Sequence, residues 1–271
     1  MNSMSSTTRK TAQLFSDLHL EFFNGTRFPR IPPRAQYLFL AGDIGNLYKN
    51  PENFVAFFDY CSENWKKVFY VAGNHEYYFN DGSPLQRDVY SEFFGEESSR
   101  AYDNVFYLNN TAVDLDNETR IYGATLWTPP QPSPSLNDYN HMTPSDILNK
   151  SIEQRKKLRE FLQENDKPAI LITHFPPTQI GTSHPKFASQ SIFLKNYFAW
   201  KPDLLLGDVP RKKLENVKLW CSGHTHYSYN ITMGCSHGGF GPAVAIPCIS
   251  NQVGYPREGD TGFDEDGIVD L

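Results

Sequence analysis

Ala12-Gln13-Leu14-Phe15-Ser16-Asp17-Leu18-His19 carries a strand-like run into an Asp-x-His pair, and four later stretches follow the same plan. Tyr37-Leu38-Phe39-Leu40 leads to Gly42-Asp43, and Val68-Phe69-Tyr70-Val71 to Gly73-Asn74-His75-Glu76. Ala169-Ile170-Leu171-Ile172 leads to Thr173-His174, and Val217-Lys218-Leu219-Trp220-Cys221 to Gly223-His224-Thr225-His226. Of the eight histidines in the chain, five fall inside these islands, which random placement would rarely achieve. Each polar cluster sits just past the carboxyl end of an apolar, β-rich run, where sheet-based α/β proteins place their ligand sites. In an extended backbone, residues two apart point to one face. Asp17 and His19 are therefore expected to converge, as are His224 and His226.

Any one island alone reads as a solvated turn or a satisfied core histidine. Five in order, each at a strand end, would need several such coincidences at once. Oxygen and imidazole donors without cysteine suit Mn, Fe or Zn in a site open to water and argue against a closed structural zinc site, which recruits thiolates. A carboxylate shared by two cations has to be Asp or Glu, and Asp43 is the natural bridge. Two divalent ions about 3.5–4 Å apart polarise phosphoryl oxygens and lower the pKa of a shared water, giving hydrolysis without a covalent protein intermediate.

The order of islands resembles the calcineurin-like metallophosphoesterases, over roughly residues 14 to 226. The resemblance implies an α/β fold of the α+β kind, a four-layer sandwich of two central mixed β-sheets flanked by helices. It implies two divalent metal ions, one held by Asp17, His19, Asp43 and His226, the other by Asp43, Asn74, His174 and His224. It leaves His75 for catalysis, as the general acid or hydrogen-bond donor at the leaving oxygen, with Asp43 as the bridge and Glu76 as the residue that orients His75. Leu126-Trp127-Thr128, Asn137-Asp138-Tyr139, Met142-Thr143-Pro144-Ser145-Asp146 and Ser250-Asn251-Gln252-Val253-Gly254-Tyr255 are similar to a small single-domain branch of that superfamily.

The chain departs from the protein Ser/Thr phosphatases of the same superfamily. Gly42-Asp43 is followed by Ile44-Gly45-Asn46 where those enzymes place Asp-Arg, and Ala72 stands where they place an arginine. Without that arginine clamp on phosphate, a protein-phosphatase role is disfavoured. The expected activity is hydrolysis of a phosphodiester or phosphomonoester, on a small molecule or nucleotide. A non-catalytic metal-binding scaffold for protein partners and a nuclease are the alternatives. The scaffold would show a lost ligand, and the nuclease a capping domain and basic strips; the sequence carries neither sign. Tyr77, Tyr78, Trp127 and Tyr139, with Asn137 beside them, are candidates to line a substrate pocket. His141, His184 and His237 read as ordinary loop histidines.

A chain of 271 residues, 39% hydrophobic and 14% aromatic, can bury one substantial core, and no Gly/Ser linker divides it. Residues 1–10 read as a flexible N-terminus and 11–271 as one domain. A formal net charge of −6 gives no footprint for nucleic acid polymers, and the basic runs at Lys156-Lys157 and Arg211-Lys212-Lys213 read as solvated faces. With no signal peptide and no apolar membrane span in the sequence, a cytoplasmic protein is expected, and four irregularly spaced cysteines suit a reducing compartment. Helical periodicity is expected over Phe54 to Trp65 and Ser145 to Glu164, the second opened by Thr143-Pro144-Ser145. The Pro-rich stretch from Thr128 to Ser135 reads as a surface loop near the metals, Gly234 to Gly241 as a turn between late strands, and Asp260 to Leu271 as an acidic tail with little core content.

Overall fold

The computed structural model describes residues 10–24, 28–79, 89–95, 98, 102–132, 136–236 and 243–271. In chain order it forms β1 (Thr11–Phe15), β2 (Tyr37–Ala41), α1 (Pro51–Asn64), β3 (Lys67–Val71), α2 (Val89–Phe93), β4 (Val105–Tyr107), β5 (Thr111–Asp114), β6 (Arg120–Ala124), α3 (Pro144–Glu164), β7 (Ala169–Thr173), α4 (Ile192–Phe198), α5 (Pro202–Leu206), α6 (Arg211–Leu214), β8 (Val217–Cys221), β9 (Tyr229–Cys235), β10 (Val244–Ser250) and β11 (Ile268–Asp270). Two sheets result, ordered β11-β1-β2-β3-β4 and β5-β6-β7-β8-β10-β9. Strands β1 to β4 run parallel and β11 antiparallel to β1. In the second sheet β6, β7, β8 and β10 are parallel, while β5 and β9 flank them antiparallel. Both sheets are mixed, as expected.

Strand alternation produces the layers. Leu14, Phe39, Phe69 and Val71 of the first sheet meet Ile121, Ile170, Ile172 and Leu219 of the second in one buried cluster. Their neighbours Phe15, Leu38, Leu40, Val68 and Tyr70 face the other way and pack on Phe54, Phe57, Phe58 and Cys61 of α1. Tyr122, Leu171 and Trp220 likewise point outward onto Leu158 and Leu162 of α3 and Leu205 and Leu206 of α5. A helix presents i, i+3, i+4 and i+7 on one face, and α1 spends those positions on Phe54, Phe57, Phe58 and Cys61. Each buried phenylalanine contributes roughly 1.5–3 kcal/mol.

Helix α1 begins three residues before the periodicity does. Asn50 accepts from the Asn53 N–H at 3.2 Å and Pro51 occupies the first turn, a polar start that carries no apolar signal. Helix α3 opens on a capping box: the Thr143 hydroxyl accepts from the Asp146 N–H at 3.2 Å and the Asp146 carboxylate from the Thr143 N–H at 3.3 Å. The last twelve residues are not a tail. β11 pairs with β1, with Thr11 opposite Asp270 and Ala12 opposite Val269, and Val269 joins the core between the sheets. A three-residue strand among acidic residues is too short to show a period, yet it covers the open edge of β1.

Residues 1–9, 133–135 and 237–242 lie outside the described residues, and with them most of the expected N-terminal segment, the end of the Pro-rich loop, His237 and all but the start of the Gly-rich turn. Among the described residues no helix is long and apolar enough to cross a membrane. The four cysteines are buried free thiols.

Candidate metal centre

Strands β1, β2 and β3 of one sheet and β7 and β8 of the other end at the same rim. Just beyond those ends stand Asp17, Asp43, Asn74, His174 and His224. The convergence of Asp17 with His19, however, is not that of an extended strand. β1 stops at Phe15, and Asp17, His19, Asp43, His224 and His226 all take left-handed backbone conformations, with φ of 57°, 49°, 51°, 79° and 50°. Such residues cost of order 1–3 kcal/mol each, and Asp and His bear that region better than branched residues do. The loops offset the cost by pairing with each other. The Asp17 N–H donates to Gly42 O (3.0 Å), the His19 N–H to Asp43 O (2.9 Å) and the Leu20 N–H to Ile44 O (2.9 Å). Both oxygens of Asp17 accept from the His224 N–H at 3.1 Å, tying the two sheets together at the site.

Close approach explains the motif glycines. A Cβ on Gly73 would lie 2.1 Å from Asp43 Oδ1, and one on Gly42, already at φ 85°, 2.5 Å from His174 Nδ1.

The side chains at the rim turn lone pairs toward one another. His19 presents Nδ1 to Glu21 (3.2 Å) and His226 presents Nδ1 to the carboxylate of Glu258, so both rings donate there and both Nε2 atoms are left as acceptors. Those two acceptors lie 3.1 Å apart, with Asp17 Oδ1 3.4 Å from His226 Nε2 and Asp43 Oδ2 3.9 Å from His19 Nε2. On the other side, His174 donates Nδ1–H to Ala41 O (2.9 Å), leaving Nε2 facing Asn74 Oδ1 (2.8 Å) and Asp43 Oδ2 (3.5 Å). His224 Nδ1 also reaches Asn74 Oδ1, at 3.1 Å. The Asn74 amide nitrogen is committed to Asp138 (3.0 Å) and to the Tyr78 hydroxyl (2.7 Å), which fixes the oxygen as the atom turned inward. Tyr78 and Tyr197 in turn donate to Asp138.

Nitrogen and oxygen atoms set this close repel unless a proton or a cation lies between them, and carboxylate, imidazole and amide oxygen are ligands that divalent cations accept. The electrostatics agree. Burial works against the Asp43 charge, but His174, His75 and His19 hold its carboxyl well below the usual range. Burial pulls His174 down, yet Asp43 and Asp17 bring it up to about 9, and Asp17 and Glu258 likewise bring His226 up to about 10. A centre that binds protons this firmly binds a metal ion in their place. Burial and the neighbouring His174 keep His224 neutral, the form a ligand needs. Asp17, His19 and His226 converge as one possible ligand group, and Asp17, Asp43 and His174 as another.

His75 is placed beside this cluster. Its N–H donates to Asp43 Oδ1 at 2.8 Å, and its ring Nε2 is 4.0 Å from Asp43 Oδ2. Glu76 does not orient it. The Glu76 carboxylate accepts from the N–H groups of Gly73 (2.9 Å), Asp43 (3.1 Å) and Ile44 (2.8 Å) and from the Tyr70 hydroxyl (2.9 Å), so it clamps the β2 and β3 loops together. The carboxylate on His75 Nδ1 is Glu21, at 2.9 Å. Against the cost of burial, its contacts with His19 and His75 hold Glu21 down to about 2. Glu21 lies in the single 3-10 turn Leu20–Phe22 just after His19, where the two-apart rule of an extended strand does not apply, so it was not legible in the sequence. Asp138 and Tyr255 lay in quoted motifs, whereas Tyr197 and Glu258 carry no local signal.

A cleft of about 310 Å³ opens over the cluster, lined by Asp43, Asn74, His75, His224 and His226 and walled by Tyr78, Asn137, Tyr197, Phe198 and Tyr255. Asn137 is where the sequence suggested. Tyr77 and Trp127 are not: both are buried in a core with Phe175, their rings 5.7 Å apart, because Trp127 lies under α3, where its backbone N–H donates to Gln154 Oε1. Tyr139 turns its hydroxyl to Gln131 instead of the cleft. His141 stacks on Tyr78 at 4.2 Å, and His184 accepts from the Lys186 N–H; neither enters the cluster. No lysine or arginine is among the described lining residues, and Arg257 is exposed outside it.

The family model of the calcineurin-like phosphoesterases matches residues 11–228. An uncharacterized protein of Acanthamoeba polyphaga mimivirus is 26% identical over 272 residues, covering 90% of each chain. Among solved structures, the phosphopantetheinyl hydrolase of Mycobacterium tuberculosis superimposes with a TM-score of 0.64 at 17% identity, over 97% of this chain and 96% of its own. The likeness to that structure is one of fold.

Proposed function

Because the chain belongs to the calcineurin-like phosphoesterases, metal-dependent hydrolases of phosphate esters, we propose that Asp17, His19, Asp43 and His226 hold one divalent cation and that Asp43, Asn74, His174 and His224 hold a second. The observation that carries this is the set of acceptor atoms facing one another across Asp43, His19 Nε2 against His226 Nε2 and His174 Nε2 against Asn74 Oδ1. Oxygen and imidazole donors suit Mn, Fe or Zn. When bound, such ions would supply charge for the phosphoryl oxygens and lower the pKa of the attacking water.

The rest of the reaction falls to the chain. His75 has Nδ1 tied to Glu21, which leaves Nε2 as the atom that offers a proton to the departing ester oxygen. Burial opposes that proton, but the Asp43 and Glu21 charges favour it and raise the His75 pKa. Asn74, Asp43 and the histidines orient the phosphoryl group, and the aromatic wall of Tyr78, Phe198 and Tyr255 takes the organic part. At about 310 Å³ the cleft lies at the small end of ligand pockets, which favours a small ester or nucleotide over a polymer.

The test is a panel of esters offered to purified, Mn-loaded protein: aryl phosphate, bis-aryl phosphate, nucleotide diesters, a phosphopantetheinyl ester and a phosphoserine peptide. Metal-dependent turnover of the small esters is expected. A metal-loaded protein that hydrolyses none of them overturns the proposal.

A further inference from the structure

The segment from Asn251 to Glu258 lies beyond residue 228, where the family match ends, yet it walls the cleft. Its backbone is pinned to the β1 loop: the Val253 N–H donates to Ser16 O (3.1 Å) and the Gly254 N–H to Asp17 O (3.0 Å). Gly254, at φ 82°, turns the chain so that Tyr255 and Glu258 face the centre together. Glu258 accepts from the Tyr255 N–H at 2.9 Å and takes His226 Nδ1. The Tyr255 ring lies 4.4 Å from both His19 and His226, and its hydroxyl is 2.9 Å from His75 Nε2.

We infer that Tyr255 is a positioning residue for the reaction: its hydroxyl, with Glu21 at the opposite ring nitrogen, fixes the plane of the His75 imidazole until the leaving oxygen takes the place of the hydroxyl at Nε2. This rests on the role proposed for His75. A ring held at one nitrogen still pivots about that bond; held at both, it does not. Tyr255 is itself held, because its ring meets His19 at a tilt and His226 edge-on and its backbone is tied to Ser16 and Asp17 through its neighbours. The hydroxyl alone makes the contact, and Tyr255→Phe removes it while keeping the ring that packs.

Two measurements test this. In metal-free protein, imidazole ¹⁵N spectra of Tyr255→Phe should show a displaced His75 Nε2 resonance with His174 unmoved. In Mn-loaded protein, Tyr255→Phe should keep wild-type metal content and KM but lose about 10- to 100-fold in kcat on an alkyl phosphate ester, as misplacing a reacting group does. Added to His75→Ala, it should cost nothing further. An unmoved His75 resonance overturns the inference whatever the activity. So does a wild-type kcat, or a loss that multiplies in the His75→Ala background. A displaced resonance in a protein whose wild type turns over no ester upholds the positioning contact and overturns the proposed hydrolysis instead.

Discussion

His75 is the residue whose role separates chemistry from coordination. It touches Asp43 through its backbone, Glu21 through Nδ1 and Tyr255 through Nε2. His75→Ala is expected to keep the metal content of the wild type and to lose roughly 10²–10⁴-fold in kcat on esters with poor leaving groups, the usual scale of a general acid. An activated aryl phosphate, whose leaving oxygen needs little protonation, should lose less. Elemental analysis beside the kinetics decides it: a variant that sheds metal makes His75 a ligand. The role of its neighbour was harder to see. A carboxylate adjacent in sequence looks like the natural partner of His75, but the turn after β3 throws the Glu76 side chain back onto the backbone of Asp43 and Ile44. The left-handed backbone at Asp17 and His19 was hidden for the same reason, since a pattern of residue types shows that two side chains meet, but not by which φ.

At the level of elements, the five strands leading to the polar islands were legible because each is a short apolar run with a sharp polar stop. Both long helices were legible from their period, and the first lacked only its capped start at Asn50. β11 was not legible, because three residues show no alternation and its partner is more than two hundred and fifty positions away. The pocket wall failed for a related reason: Tyr77, Trp127 and Tyr139 carry the right chemistry, but burial is decided by packing partners that local sequence does not name. The layer beneath the site is open to test. Phe58 of α1 is fully buried against Tyr70, with ring centroids 5.0 Å apart, and Tyr70 donates to Glu76. Phe58→Ala should cost about 3–5 kcal/mol in denaturant unfolding. A cost below about 1 kcal/mol would mean that α1 does not brace the β2 and β3 loops as described.

Across the whole molecule, two parallel sheet rims meet and the loops of one are stitched to those of the other, as when Asp17 accepts from the His224 N–H. The resulting cleft has carboxylates, imidazoles and aromatic walls but no lysine or arginine among its described lining residues, so it lacks a guanidinium or ammonium clamp for a dianionic phosphate. A diester carries one charge fewer. Nucleotide or bis-aryl diesters are therefore expected to turn over at least as well as phosphoserine peptides under the same metal loading, and a clear preference for the peptides would contradict this.

Counting metal ions in Asp43→Asn, by elemental analysis after equilibration in Mn, tests the shared carboxylate most directly. Asp43 approaches both halves of the cluster, and its charge is the one that both cations would share. The wild type should hold two ions per chain, and Asp43→Asn should lose occupancy at both positions together with all turnover. A variant that keeps two ions and a near-normal rate would contradict the two-cation centre built on Asp43.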